Sequence, residues 1–97
     1  MRKFNIEINP RVEKDLLNSI DYYKKINKKI ATNFLKDFKN TIALLKQNPN
    51  YQVRYKEVRC IPLKNYPFML HFKTYENLII VYALIHTSLN PNENWIE

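Results

Sequence analysis

Phe4, Ile6 and Ile8 alternate with Asn5 and Glu7, the two-residue period of a half-buried strand. Asn9-Pro10 then makes a helix start: a side-chain oxygen able to cap, followed by a residue that needs no amide partner at the first helical position. From there Val12, Leu16, Ile20, Tyr23 and Ile26 recur at three- and four-residue steps on one helical stripe, with Lys14, Asn18, Asp21 and Lys25 off it. A polar break at Asn27-Lys28-Lys29 predicts a tight helical hairpin. The second helix is expected from about Lys29 to Asn48, with Ile30, Phe34, Phe38, Ile42 and Leu45 buried and Ala31 and Leu35 widening the stripe. Pro49 stops it, because the residue before a proline is pushed out of the helical region.

The remainder reads as sheet. Val53 to Leu63 is a strand or a pair of strand segments, with Pro62 marking an edge or a bulge. Alternation through it puts Tyr55, Glu57 and Arg59 on one face and Lys56 and Val58 on the other. Lys64-Asn65-Tyr66-Pro67 is a turn, after which Phe68, Leu70 and Phe72 alternate with Met69, His71 and Lys73. Tyr75-Glu76-Asn77 turns the chain without glycine, and Asn77 is the residue expected to take a positive φ. Leu78 to His86 is nearly all apolar, as in a central strand covered on both faces, and Trp95 is expected to anchor the polar tail. The order β-αα-βββ predicts one α+β domain over residues 1–97, a helical hairpin on one face of a small, mostly antiparallel sheet. Its opposite face is then left free for function.

Composition narrows the chemistry. The 97 residues include 45% hydrophobic and 26% charged, a balance that suits a folded chain. No apolar run is long enough to span a membrane, and MRKFNIEINP lacks the pattern of a secretory signal, so a cytoplasmic protein is expected. The chain has no glycine, which removes phosphate-cradling loops and dinucleotide fingerprints; no cofactor is expected. One cysteine, Cys60, makes neither an intrachain disulfide nor a cysteine-based metal site, and it reads as a buried structural thiol. His71 and His86 are too few and too distant in sequence for a zinc site, so no metal is expected. The formal net charge of +7 attracts polyanions: nucleic acid, ribosomes or an acidic protein. Lysine, however, far outnumbers the arginine on which specific phosphate recognition leans.

The residues left for chemistry are strand-borne. Arg59 is either a structural salt-bridging residue or a phosphate or partner contact. His86 ends the central strand, where an imidazole is structural or serves as general acid or base. Lys56, Lys64 and Lys73 line the sheet rim and, with Tyr66, are candidates for target or nucleic-acid binding. Each lysine alone reads equally as a solvated surface charge.

Together these features resemble the RelE/ParE superfamily of bacterial type II toxins. In that family an arginine opens the second strand, an aromatic-Pro-aromatic turn leads into the third, and the fourth ends in a histidine; here these fall on Arg59, Tyr66-Pro67-Phe68 and His86. The continuation His86-Thr87-Ser88-Leu89-Asn90-Pro91 before Trp95 is similar to the family's closing motif, as are Asp15-Leu16, Tyr22-Tyr23, Ala31 and Phe34 in the hairpin. The resemblance implies a basic toxin held inactive by a cognate acidic antitoxin. ParE-like members poison DNA gyrase, whereas RelE-like members cleave mRNA on the ribosome, with Arg59 holding phosphate and His86 moving protons. Positions that are basic in RelE itself fall on Cys60, Pro62, Met69 and Leu89, none of which offsets charge on a phosphorane. The expectation is therefore a ParE-like toxin, the alternatives being a RelE-like endonuclease or a degenerate member that only binds antitoxin.

Overall fold

The computed structural model describes residues 4–88. Its elements are β1 (Asn5–Ile8), α1 (Pro10–Ile26), α2 (Lys28–Gln47), β2 (Val53–Tyr55), β3 (Val58–Pro62), β4 (Phe68–Tyr75) and β5 (Leu78–His86). The strands form one sheet in the order β1-β5-β4-β3-β2, antiparallel except where β1 runs parallel to β5. This is the expected α+β arrangement, with both helices on one face of the sheet. Among the described residues no helix is long and apolar enough to cross a membrane.

The helices begin and end as their sequence dictates. Asn9 Oδ1 accepts the Arg11 N–H at 2.9 Å, Pro10 occupies the first turn, and Lys24 and Lys25 stand at the negative end of the α1 dipole. The hairpin is tighter than the polar break suggested. Asn27 alone links the helices: its N–H donates to the Tyr23 carbonyl at 2.8 Å, and its Oδ1 accepts the Lys29 N–H at 2.8 Å. Lys28 and Lys29 therefore belong to α2. Ile26, expected in the buried stripe, is 59% exposed, because burial of α1 stops one turn earlier at Tyr23.

The core lies between this hairpin and the sheet. Val12, Phe34, Phe38 and Leu45 pack on Ile61, Leu63, Leu70, Phe72, Ile79, Val81 and Leu84. A bulge in the β4–β5 pairing shifts the register between His71 and Phe72, so that His71 faces Ala83 while Phe72 faces Val81. Tyr82 is the extra residue. The bulge reverses the parity of β5, so that Ile79 and Val81 before it and Leu84 after it all face the helices.

Two turns depart from expectation. Val53–Leu63 is a pair of segments rather than one strand, and it divides at Lys56-Glu57, so four strands follow the helices. Both residues have positive φ, 40° and 65°, forming a two-residue hairpin loop without glycine or asparagine. Glu57 thus leaves the strand, and the expected alternation of Tyr55, Glu57 and Arg59 on one face does not hold: Tyr55 pairs with Val58, and Val53 with Arg59. In the β4–β5 turn the positive φ of 54° falls on Glu76 rather than Asn77.

Carboxylates from the helices complete the sheet's hydrogen bonding. β1 ends opposite Val81, and beyond it Asp15 of α1 accepts the Leu84 N–H at 3.2 Å. Asp37 of α2, 5% exposed, accepts the N–H groups of Lys64 and Asn65 at 3.3 and 2.8 Å and so holds the β3–β4 turn against the helix. Thr41 Oγ1 donates to the Asp37 carbonyl. Asp37→Ala leaves two turn donors without their acceptor and should cost about 2–3 kcal/mol in urea unfolding. A loss within ~0.5 kcal/mol, the range of ordinary surface substitutions, would show that water replaces the carboxylate.

Candidate functional site

Arg59 shares strand parity with Ile61 and Leu63, which places it on the helix side of β3 rather than on the opposite face. Its Nη1 donates to the Tyr51 carbonyl, and the Tyr51 ring meets Phe72 edge-on at 6.4 Å. The guanidinium thereby fastens the α2–β2 loop to the sheet. Arg59 and Lys73 also line one shallow cavity of about 250 Å³, shared with Val53, Glu57, Thr74 and Tyr75. The Lys73 ammonium lies 5.8 Å from the centre of the Tyr82 ring, within cation–π range. Lys56 is exposed in the adjoining β2–β3 turn.

His86 occupies a different place. Its parity after the bulge also turns it to the helix side, where its ring meets Phe68 at 5.2 Å. Nδ1 accepts the Ser88 N–H at 3.1 Å, so the neutral imidazole carries its proton on Nε2. With Asn18, Ser19, Tyr22, Tyr23, Ile26 and Phe68 it lines a largely apolar cleft of about 450 Å³ along α1. Tyr66 joins the same aromatic group: its ring lies 5.3 Å from Tyr23 and 5.1 Å from Phe34, while its hydroxyl donates to the Ile30 carbonyl at 2.9 Å. Lys64 stands exposed in the turn that Asp37 holds.

The residues singled out from the sequence therefore fall into two groups: Arg59, Lys73 and Lys56 at the β2 edge, and His86, Tyr66 and Lys64 at the other end. Arg59 pairs with Phe72 and His86 with Phe68. Four residues of β4 separate these pairings, roughly 13 Å, and the two strands flank β4 with roughly another 10 Å between them. Arg59 and His86 do not share a site.

The opposite face of the sheet differs from expectation as well. Val58, Cys60, His71, Ala83 and Ile85 on it are buried rather than forming an open basic surface. At its centre the Tyr55 hydroxyl lies 2.8 Å from His71 Nδ1, and Cys60 Sγ lies 3.5 Å from the same atom. Burial, with Arg11 and Arg54 nearby, lowers the His71 pKa to about 4. Burial, with Cys60 close, pushes Tyr55 up to about 12; burial also pushes Cys60 up to about 11, against the pull of Arg54. All three are neutral at neutral pH, and a thiol so protonated is a poor nucleophile. Sequence reasoning passed over this cluster. The Cys60↔His71 register that creates it was not readable, although both residues stood on alternating strand positions. Of the positions that are basic in RelE, Cys60 is buried in this cluster, Met69 is half-buried and Pro62 is exposed; Leu89 and Trp95 lie outside the described residues. Among the described residues no group of three or more His, Cys, Asp or Glu side chains converges to hold a metal ion.

Comparison with known proteins gives the lineage. The family model described as the ParE toxin of type II toxin–antitoxin systems, parDE, matches residues 6–91. The chain belongs to the ParE toxin family. Among solved structures, a chain of the chromosomal ParDE toxin–antitoxin system from P. aeruginosa matches with a TM-score of 0.78 at 19% identity, covering 87% of this chain and 96% of that one. At that identity the likeness speaks to the fold. No match was found among curated proteins.

In this ParE-family chain the His71 cluster links stability to pH. The imidazole binds its proton more weakly folded (pKa about 4) than unfolded (about 6.5), so its contribution is complete above pH ~6.5 and is lost as pH falls toward 4. The full span corresponds to about 3 kcal/mol. Urea unfolding between these pH values should show that fall in the native sequence and a flatter profile in His71→Gln. Parallel profiles would mean that other groups carry the acid sensitivity.

Proposed function

We propose that this ParE-family chain is the toxin of a type II module, neutralised in the cytoplasm by an acidic antitoxin, and that it acts by binding its cellular target, DNA gyrase, rather than by cleaving mRNA. The supporting observation is the separation of Arg59 from His86. Cleavage of a phosphodiester needs a cation on the phosphate and a proton-transfer group within reach of the same atoms. The two residues best suited to those roles stand on opposite sides of β4, and His71 and Cys60, on the other face of the sheet, are buried and neutral. Binding asks for less. The α1 cleft beside His86 offers apolar surface flanked by exposed Tyr22 and Ile26, and Lys56 and Lys64, exposed in the sheet's turns, offer charge to an acidic chain.

Induced expression should arrest growth unless the neighbouring antitoxin is co-expressed. Purified toxin should inhibit gyrase supercoiling, while primer extension on mRNA from induced cells shows no new ends. Ribosome-dependent cleavage would replace this reading with the endonuclease one, and harmless expression would leave only antitoxin binding. Combining substitutions provides an internal check. At this separation the effects of Arg59→Ala and His86→Ala on gyrase inhibition should add in free energy to within about 0.5 kcal/mol. If the double variant is no worse than either single one, the two residues act as a unit and the binding reading fails.

A further inference from the structure

Helix α2 carries Lys28, Lys29, Lys36, Lys39 and Lys46, all exposed, and a single acid, Asp37, which is buried and engaged by the β3–β4 turn. At 100° per residue the five lysines fall within about 100° of one another around the helix, opposite the buried Ala31, Phe34 and Phe38. They span eighteen residues, roughly 27 Å along the axis. None makes an ion pair or a side-chain hydrogen bond. Lys36 and Lys39 are like charges three residues apart, and Lys28 and Lys29 stand at the positive end of the helix dipole, where acids are favoured. The face is thus electrostatically costly, and no partner group among the described residues offsets that cost.

We propose that this face is a sequence-independent contact for the phosphates of duplex DNA. The polar residues around the lysines suit phosphate and sugar oxygens: Asn33, Lys36 and Asn40 line a polar cleft with Asn65, Tyr66 and Asp37, whose carboxylate is taken up by the Lys64 and Asn65 N–H groups. A protein partner fits poorly. Protein interfaces are depleted in lysine and built around apolar or aromatic anchors, whereas Thr32, Asn33, Asn40 and Ala43 fill the spaces here. Leu44, though exposed, lies about 160° around the helix from Lys28, on the flank. Lysine rather than arginine is the residue of point-charge contact, without the forked geometry that reads bases. The choice of DNA over RNA rests on the gyrase reading, since a toxin acting on that enzyme meets the DNA it holds.

Fluorescence anisotropy with the full chain and a labelled duplex of arbitrary sequence, about three helical turns (~30 base pairs), tests this without gyrase present. Between about 50 and 200 mM salt, log K should fall against log salt with a slope between about −3 and −4.5, and should change little with sequence. Lys36→Gln, Lys39→Gln and Lys46→Gln combined should reduce the slope by about 2.7, with the circular dichroism spectrum unchanged. Lys14→Gln, the same charge change on α1, should leave the slope as it is. Absence of binding at the lowest salt, an equal per-lysine loss from Lys14→Gln, a marked preference for duplex RNA, or equal displacement by poly-glutamate would each overturn the proposal. DNA binding without gyrase inhibition would leave it standing and sink the gyrase reading; gyrase inhibition without DNA binding would do the reverse.

Discussion

Phe34 is where the fold is tied together. Its fully buried ring lies 5.2 Å from Tyr23 on α1, 5.1 Å from Tyr66 in the β3–β4 turn and 5.2 Å from Phe68 on β4. One side chain of α2 thereby joins the other helix, the turn and the central sheet. Aromatic contacts of this edge-to-face and tilted kind have preferred geometry beyond their buried area, so they position as well as stabilise. Three hydrogen bonds complete the joint: Tyr66 donates to the carbonyl of Ile30, and Asp37 receives the two turn amides from one turn further along the same helix. With the turn fixed, Phe68 enters β4 in a defined register, and its partner across the strand is His86. The imidazole beside the α1 cleft is therefore placed by a contact made on the other helix.

The helices and the strands at either end were legible because their periods are local properties. Val12 and Phe34 announce buried stripes whatever the rest of the chain does. What the sequence withheld was parity. Lys56 and Glu57 form a tight loop with neither of the residues that normally permit positive φ, so one strand and a pair of segments read alike, and alternation carried through the loop misplaces its faces. The bulge at Tyr82 has the opposite effect. Counting two by two from Val81 puts Ala83 and Ile85 toward the helices and His86 on the far face; the inserted residue exchanges them. Nothing about Tyr82 as a residue type marks a bulge. The candidate site thus depended on two backbone irregularities, each set by pairing with a neighbouring strand. The residues were identifiable by type, but which of them would meet was not.

The β2–β3 loop and the β3–β4 register also explain why the polar centre of the sheet is inert. Cys60 pairs with His71 and the tight β2–β3 loop brings Tyr55 to the same face, away from the helices, where the shared contact with one imidazole nitrogen satisfies polar groups that burial would otherwise penalise. Each is held in its neutral form. The arrangement is a hydrogen-bonded core rather than a reaction centre. On the helix side of the same sheet, Arg59 and His86 are left on separate strands that flank β4.

The same economy shapes the surface. The helices carry four acids, Glu13, Asp15, Asp21 and Asp37. Asp15 and Asp37 turn inward to accept N–H groups of β5 and of the β3–β4 turn, where the sheet has no strand of its own to provide an acceptor. Asp37, the one acid of α2, is thus withdrawn from the surface where it could have paired with a lysine. The uncompensated positive face is in part a consequence of how the sheet edge and the turn are completed. Such a surface keeps copies of the chain apart through mutual repulsion and draws polyanions from a distance set by the salt concentration. Folding and surface charge are coupled through Asp37: the hydrogen bonds that hold the β3–β4 turn also bury the one carboxylate that α2 carries.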